Sequence, residues 1–127
     1  MMVEKSKIQT TSTNINKLIK ESKMPETINK ELLIDAVSYQ NGSIVSKQII
    51  KKPNGNITLF AFDKNESLTE HTSPYEAVVY MVDGEMEITI GGTHYNVKAG
   101  EILVMPSNIP HGLKASLKSK MLLTMIK

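Results

Sequence analysis

Cysteine, arginine and tryptophan are missing from this chain of 127 residues, and their absence excludes several kinds of site. Without cysteine there is no disulfide, no thiol nucleophile and no cysteine-ligated zinc or iron–sulfur centre. All 15 basic residues are lysine, so no planar arginine fork is available to bind phosphate or carboxylate. The net charge is only +2, and the four tyrosines and two phenylalanines do not alternate with basic residues. We therefore expect no nucleic-acid binding.

Long apolar runs are also missing. No run reaches the roughly 18 residues that a membrane-spanning helix needs, and residues 1–13 lack the apolar segment of a secretory signal. We therefore expect a cytoplasmic protein with no membrane partner. The length favours one domain, which can bury a core without disulfides or metals.

The hydrophobic period divides the chain into two regions. Residues 1–31 predict an N-terminal arm that is irregular or forms a short helix near residues 12–23, which Pro25 would end. The arm packs on its own domain in one interpretation and covers a partner subunit in the other. From residue 32 onward, apolar and polar residues alternate between turns rich in glycine and proline. This pattern predicts an all-β barrel or jelly roll over residues 32–127.

One predicted strand differs from its neighbours, because residues 77–82 are apolar on both faces. Such a strand is expected to lie between the barrel interior and a second sheet or subunit. A small barrel cannot cover both faces alone, so we expect a homodimer. The other strands predicted from the alternation include residues 32–37, 43–50, 57–62, 85–90, 102–105 and 121–126.

The spacing from His71 to Gly84 resembles the first sequence motif of the cupin superfamily, in which a His-x-His pair, a Glu and a Gly follow one another. A gapless alignment on Gly84 puts the first histidine at His71. Ser73 then replaces the second histidine, and Ala77 replaces the glutamate. Glu76 is one residue away, so it would reach an inward metal only through a bulge or a loop.

Residues 100–111 resemble the second cupin motif, which runs Gly, five residues, Pro-x-Gly, two residues, His, three residues, Asn. Gly100, Pro106 and His111 match, whereas Asn108 replaces the glycine and Ala115 the asparagine. The resemblance implies a cupin double-stranded β-helix in which His71 and His111 converge at the mouth of the barrel. It also puts Tyr80 where the family commonly has an aromatic packing residue, so Tyr80 is expected in the core. The resemblance agrees with a homodimer, since small cupins often dimerise.

The expected lining of the barrel pocket is His71, Ser73, Ala77, Val79, Met105 and His111. A metal normally takes three or four protein ligands, so two histidines alone form a weak site. Glu76 or an oxygen of the bound molecule would have to complete the coordination of Zn, Ni, Fe or Mn.

Three functions are compatible with these sequence features. The first is a cupin that binds a small organic ligand in the barrel, with weak or absent metal. The alternative is a metal-dependent isomerase, lyase or dioxygenase that uses His71 and His111. The third is an interaction module without a pocket ligand, and the fold alone does not choose among them. The eight methionines are expected to fill irregular core space and, because they are not clustered in sequence, are not expected to bind copper.

Overall fold

A computed structural model of the chain describes residues 28–127, and the predicted helix near residues 12–23 lies outside the described residues. The compact unit Glu31–Lys127 begins with a short 3-10 helix, Leu33–Asp35, and continues in strands. The strands are β1 (Ile44–Lys52), β2 (Gly55–Phe62), β3 (Ser67–His71), β4 (Glu76–Asp83), β5 (Glu85–Ile90), β6 (Thr93–Lys98), β7 (Ile102–Met105), β8 (His111–Ala115) and β9 (Ser119–Ile126).

These strands form two antiparallel sheets. The five-stranded sheet has the order β1-β2-β9-β4-β7, and the four-stranded sheet has the order β3-β8-β5-β6. Alternate residues of both sheets form one core, in which Phe62, Val79 and Met81 of the first sheet and Met86 and Ile88 of the second are fully buried. The all-β jelly-roll prediction is confirmed. Nowhere in residues 28–127 is there a helix long and apolar enough to cross a membrane.

Two turns show why glycine is needed between the strands. Gly91 and Gly92 connect β5 to β6 with φ angles of 55° and 86°, the pair of positive angles that a tight hairpin turn requires. Gly84 connects β4 to β5 with φ 82°, and a Cβ atom there would lie 2.1 Å from the carbonyl oxygen of Lys118. Both belong to the glycine-rich turns expected between the strands.

The strand predicted at residues 32–37 is wrong, because this segment contains the 3-10 helix instead. Leu33, Ala36 and Val37 recur at a helical spacing of three and four residues, and this spacing competes with the alternation that suggested a strand. All three pack against Leu59 and Ala61, which are fully buried on the outer face of the five-stranded sheet. The segment therefore covers the sheet with side chains rather than extending it with a strand.

Strand β4 is apolar on both faces, as predicted. Its inward residues Ala77, Val79 and Met81 are buried. The prediction that Tyr80 lies in the core is wrong, since Tyr80 is 38 % exposed on the outer face. Its partner across β7, Ile102, is 65 % exposed, so this part of the outer face has no cover in the described residues.

Candidate functional site

Two histidines meet where the two sequence motifs meet. His71 is the last residue of β3, His111 is the first residue of β8, and the antiparallel register places them directly opposite each other. Their ring centroids are 4.4 Å apart and the ring planes are inclined by 62°. His71 is exposed, whereas His111 is only 7 % exposed. The pair therefore extends from solvent into the space between the sheets.

Both imidazoles are oriented by the same local hydrogen bond. The Nδ1 atom of His71 lies 2.8 Å from the carbonyl oxygen of Thr69, and Nδ1 of His111 lies 3.2 Å from the carbonyl oxygen of Ile109. A carbonyl oxygen only accepts, so each Nδ1 carries the proton and donates it. In the neutral ring, Nε2 then has a free lone pair. The two Nε2 atoms are the groups that this site offers to a ligand.

The two histidines line a cavity of about 70 Å³ between the sheets. The rest of its lining is apolar, and no charged side chain contributes to it. The apolar lining residues are Phe60, Leu68, Ala77, Met105, Leu113, Met121, Leu123 and Met125. Two larger depressions, of about 260 and 360 Å³, lie on the solvent side of β5, where charged groups such as Glu87 line them. The small cavity is the candidate site because it combines enclosure by apolar walls with the histidine pair.

Four of the six pocket residues expected from the sequence are brought together, namely His71, Ala77, Met105 and His111. Ser73 and Val79 do not line the cavity. Val79 is fully buried in the core, because its parity points inward but its position lies deeper along β4.

Ser73 has a different position from the expected one, in the loop after β3. Its hydroxyl oxygen accepts the backbone N–H of Tyr75 at 3.1 Å, and its carbonyl oxygen accepts the N–H of Asn108 at 2.7 Å. Ser73 therefore connects the loops of the two motifs. Asn108 has a φ angle of 63°, which explains why asparagine, the residue that best tolerates this region after glycine, stands at a glycine position of the motif.

Glu76, the candidate third metal ligand, lies outside the cavity. It is the first residue of β4, is exposed and pairs with Ile126. The register of β4 with β9 is continuous there and shifts only between Met81 and Asp83, so no bulge turns the carboxylate inward.

The cupin fold implies a metal, and the donor set decides whether the residues fit one. No group of three or more His, Cys, Asp or Glu side chains suited to a metal is found in residues 28–127. Ala77 lines the cavity where the motif has its glutamate. Two imidazoles without a carboxylate are fewer than the three protein ligands typical of a metal site. The residues therefore do not fit the metal of the full cupin motif.

Sheet order, motif loops and histidine pair together define a cupin barrel, and sequence comparison agrees. Residues 58–127 match the cupin domain family, so the chain belongs to this family. No protein with a curated description matches the chain.

Solved structures support the same assignment. A conserved protein of unknown function from Streptococcus pyogenes is 33 % identical, with 81 % of this chain and 90 % of that chain covered and a TM-score of 0.76. A cupin 2 conserved barrel domain protein from Leptotrichia buccalis is 43 % identical over 74 % of this chain, with a TM-score of 0.72. That match covers only 46 % of the Leptotrichia chain. A cupin superfamily protein from Desulfitobacterium hafniense, 19 % identical, shares the fold with a TM-score of 0.72 over 81 % of this chain and 94 % of that chain.

Proposed function

We propose that this cupin binds a small organic ligand, with a short apolar part in the cavity and a polar group between His71 and His111. The observation that carries the proposal is the composition of the cavity wall, which has two imidazoles and otherwise only apolar side chains. A concave apolar site with a few convergent polar groups is typical of small-molecule binding. Among residues 28–127, no carboxylate and no serine that could act as a base or nucleophile lines the wall.

The site limits both the polar group and the size of the ligand. A neutral imidazole accepts a hydrogen bond at Nε2 from a hydroxyl or a protonated acid, and a charged imidazole donates one to a carboxylate or carbonyl oxygen. The cavity of about 70 Å³ is about half the roughly 150 Å³ of an engineered cavity that binds benzene. The buried part of the ligand is therefore smaller than a benzene ring. Short aliphatic acids and alcohols meet both conditions.

The test is a titration of the full chain with acetate, propionate, butyrate and valerate and with the matching alcohols, followed by NMR of the imidazole nitrogens. We expect saturable shifts at His71 and His111 for at least one compound. His71→Ala and His111→Ala should abolish them with little change in melting temperature. His94→Ala is the matched control, because His94 is exposed and bonded to Thr89 on the outer face. No saturable shift with any compound, or unchanged binding in both alanine variants, would contradict the proposal.

The second candidate is a metal-dependent isomerase, lyase or dioxygenase with Zn, Ni, Fe or Mn at His71 and His111. The Nδ1–carbonyl bonds favour it, since metal-binding histidines usually donate their other ring N–H in this way. The bound molecule would have to supply the missing ligands. Elemental analysis of untagged protein separates the candidates, because a stoichiometric transition metal supports the enzyme. For either candidate we propose a cytoplasmic homodimer.

A further inference from the structure

The strand register places one methionine on each side of Ala77. Ala77 of β4 pairs with Met105 of β7 on one side and with Met125 of β9 on the other. All three residues line the same cavity as His71 and His111. Met121 also lines the cavity, but it pairs with Met81, four residues away along β9, so Met105 and Met125 are the two methionines that flank the position where the cupin motif has a carboxylate.

The possible metal ligands in this cavity are thioether sulfurs, which are soft ligands, and imidazole nitrogens, which are of intermediate softness. Thioether sulfur favours Cu(I) among biological metals, and imidazole nitrogen also suits copper. The hard oxygen donors that Mg, Ca and Mn prefer are absent from the cavity lining. Within the described residues neither Nε2 atom is bonded to another protein group, so both lone pairs are available.

We infer that the cavity is a binding site for a cuprous ion, with His71 and His111 as nitrogen ligands and Met105 and Met125 as sulfur ligands. The two sulfurs replace the ligands that the motif lost at Ser73 and Ala77, and they change the metal preference from hard to soft. The inference goes beyond the organic-ligand proposal and does not depend on it. An organic acid or alcohol needs the two imidazoles, whereas a cuprous ion also needs the thioethers.

The experiment is an anaerobic titration of the full-length, untagged chain with Cu(I) in competition with a chromogenic Cu(I) chelator. We expect one Cu(I) per chain, and much weaker binding of Zn(II), for which two imidazoles are too few ligands.

Met105→Leu with Met125→Leu conserves volume and keeps both histidines. It should lower Cu(I) affinity by at least about 100-fold. Losing a group that hydrogen-bonds to a metal ligand costs about 10- to 100-fold, and losing the ligands themselves should cost at least as much. Met81→Leu with Met86→Leu is the matched control, because both methionines are buried outside the cavity. It should bind Cu(I) like the parent.

A second measurement covers the case that the leucine variant does not fold. In the parent chain labelled with ¹³C at the methionine methyl groups, Ag(I), a redox-inert substitute for Cu(I), should shift the signals of Met105 and Met125. The signals of Met81 and Met86 should stay in place. The absence of stoichiometric Cu(I) binding would overturn the inference, as would equal affinity of the two leucine variants. Butyrate and butanol titrations of the metal-free parent separate the proposals, since organic binding in the absence of Cu(I) supports the organic-ligand site whatever the outcome of the Cu(I) titration.

Discussion

At the scale of single residues, each histidine of the site is oriented by a hydrogen bond to a nearby backbone carbonyl oxygen. His71 and His111 each donate from Nδ1 to the carbonyl oxygen two residues earlier, although one is exposed and the other buried. Thr69 lies in β3 and Ile109 lies in the loop just before β8, so both bonds are local and need no distant partner. Cross-strand pairing then brings the two oriented rings together. The arrangement therefore needs only the β3–β8 register to be correct.

The replacement at Ala77 gives the first prediction. Ala77→Glu would add a carboxylate beside the two imidazoles, and two His with one Glu is a set that catalytic zinc sites use. Without metal the variant should be less stable than the parent at a pH where both imidazoles are neutral, because neither Nε2 atom can then donate to the buried carboxylate. Zn(II) or Ni(II) should restore stability, by about 2.7 kcal/mol at a concentration 100 times Kd. Thermal unfolding with and without metal measures this.

Ala77→Gln is the matched control, since it has the same size but is a much weaker ligand. Its melting temperature should not rise with metal. An equal rise in the two variants, or no rise in the glutamate variant, would show that residue 77 does not lie within reach of both imidazoles.

The sequence allowed part of this site to be predicted. Motif spacing identified His71, His111 and Ala77, because the spacing reflects strand and loop lengths. It did not identify Met125, which pairs with Ala77 across 48 positions of the chain. Such a pairing depends on the order of strands in the sheet, and no local pattern in the sequence encodes that order. For the same reason the methionines, dispersed in sequence, gave no reason to expect a shared cavity.

At the scale of elements, the turn at Gly84 constrains the fold most strongly. We expect Gly84→Ala to destabilise the protein by about 3 kcal/mol or more, because a positive φ and a clash with backbone add together. Gly42→Ala is the control. Gly42 also has a positive φ of 63°, but nothing lies within 4 Å of a Cβ atom there. Gly42→Ala should lower the free energy of unfolding by about 1 kcal/mol. Urea unfolding of the two variants compares them, and equal costs would argue against the clash.

The segment that covers the outer face gives a prediction about pH. The hydroxyl of Tyr39 donates to Asp83 at 2.6 Å, while Lys118 and Lys120 lie over its ring. Burial, the hydrogen bond to Asp83 and the negative charge of Asp83 raise the pKa of Tyr39 above its ordinary value of 10.0. The stability that this tyrosine contributes is therefore complete below pH 10 and falls as the pH rises above it, where the unfolded chain loses the proton first.

Tyr39→Phe should lower the free energy of unfolding by about 2 kcal/mol at neutral pH, the usual contribution of a hydrogen bond to a charged group. The difference in unfolding free energy between parent and variant should stay constant from pH 7 to 9 and shrink above pH 10. Tyr95→Phe, which removes a hydroxyl from a residue 42 % exposed, should have almost no effect. A difference that grows above pH 10 would contradict the sign of the pKa shift.

This segment also shows where prediction of elements from sequence fails. Strands β1, β2, β5, β7 and β9 were expected because alternation extends through them between clear turns, and β4 was expected because its residues are apolar on both faces. Residues 32–37 were assigned wrongly because their apolar residues satisfy both a period of two and a helical spacing. Only the presence of Leu59 and Ala61 on the adjacent sheet decides between the two, and that is tertiary information.

At the scale of the whole molecule, the part of the sandwich that the structure describes leaves an apolar area of its outer face uncovered. Residues 33–39 cover the outer face near β2, but farther along the same sheet Ile102 is 65 %, Val104 51 % and Tyr80 38 % exposed. Val104 pairs with Val78 and Ile102 with Tyr80, so these side chains form one area across β4 and β7. Strand β7 also forms an edge of its sheet in the described residues. Apolar edges of this kind invite association.

We therefore expect a homodimer formed through the area made by Val78, Tyr80, Ile102 and Val104. Light scattering at micromolar concentration should give a mass near twice the 14.1 kDa of the chain.

Ile102→Lys with Val104→Lys should give a folded monomer, because burial of two lysines in an apolar interface is costly. Thr93→Lys with Asn96→Lys adds the same charge on exposed residues of β6, at the edge of the other sheet, and should remain dimeric. A monomeric parent would contradict the dimer, whereas a dimeric Ile102/Val104 variant would place the interface elsewhere. The sequence suggested an association through the apolar strand β4, but only the structure shows that the other half of this surface comes from β7.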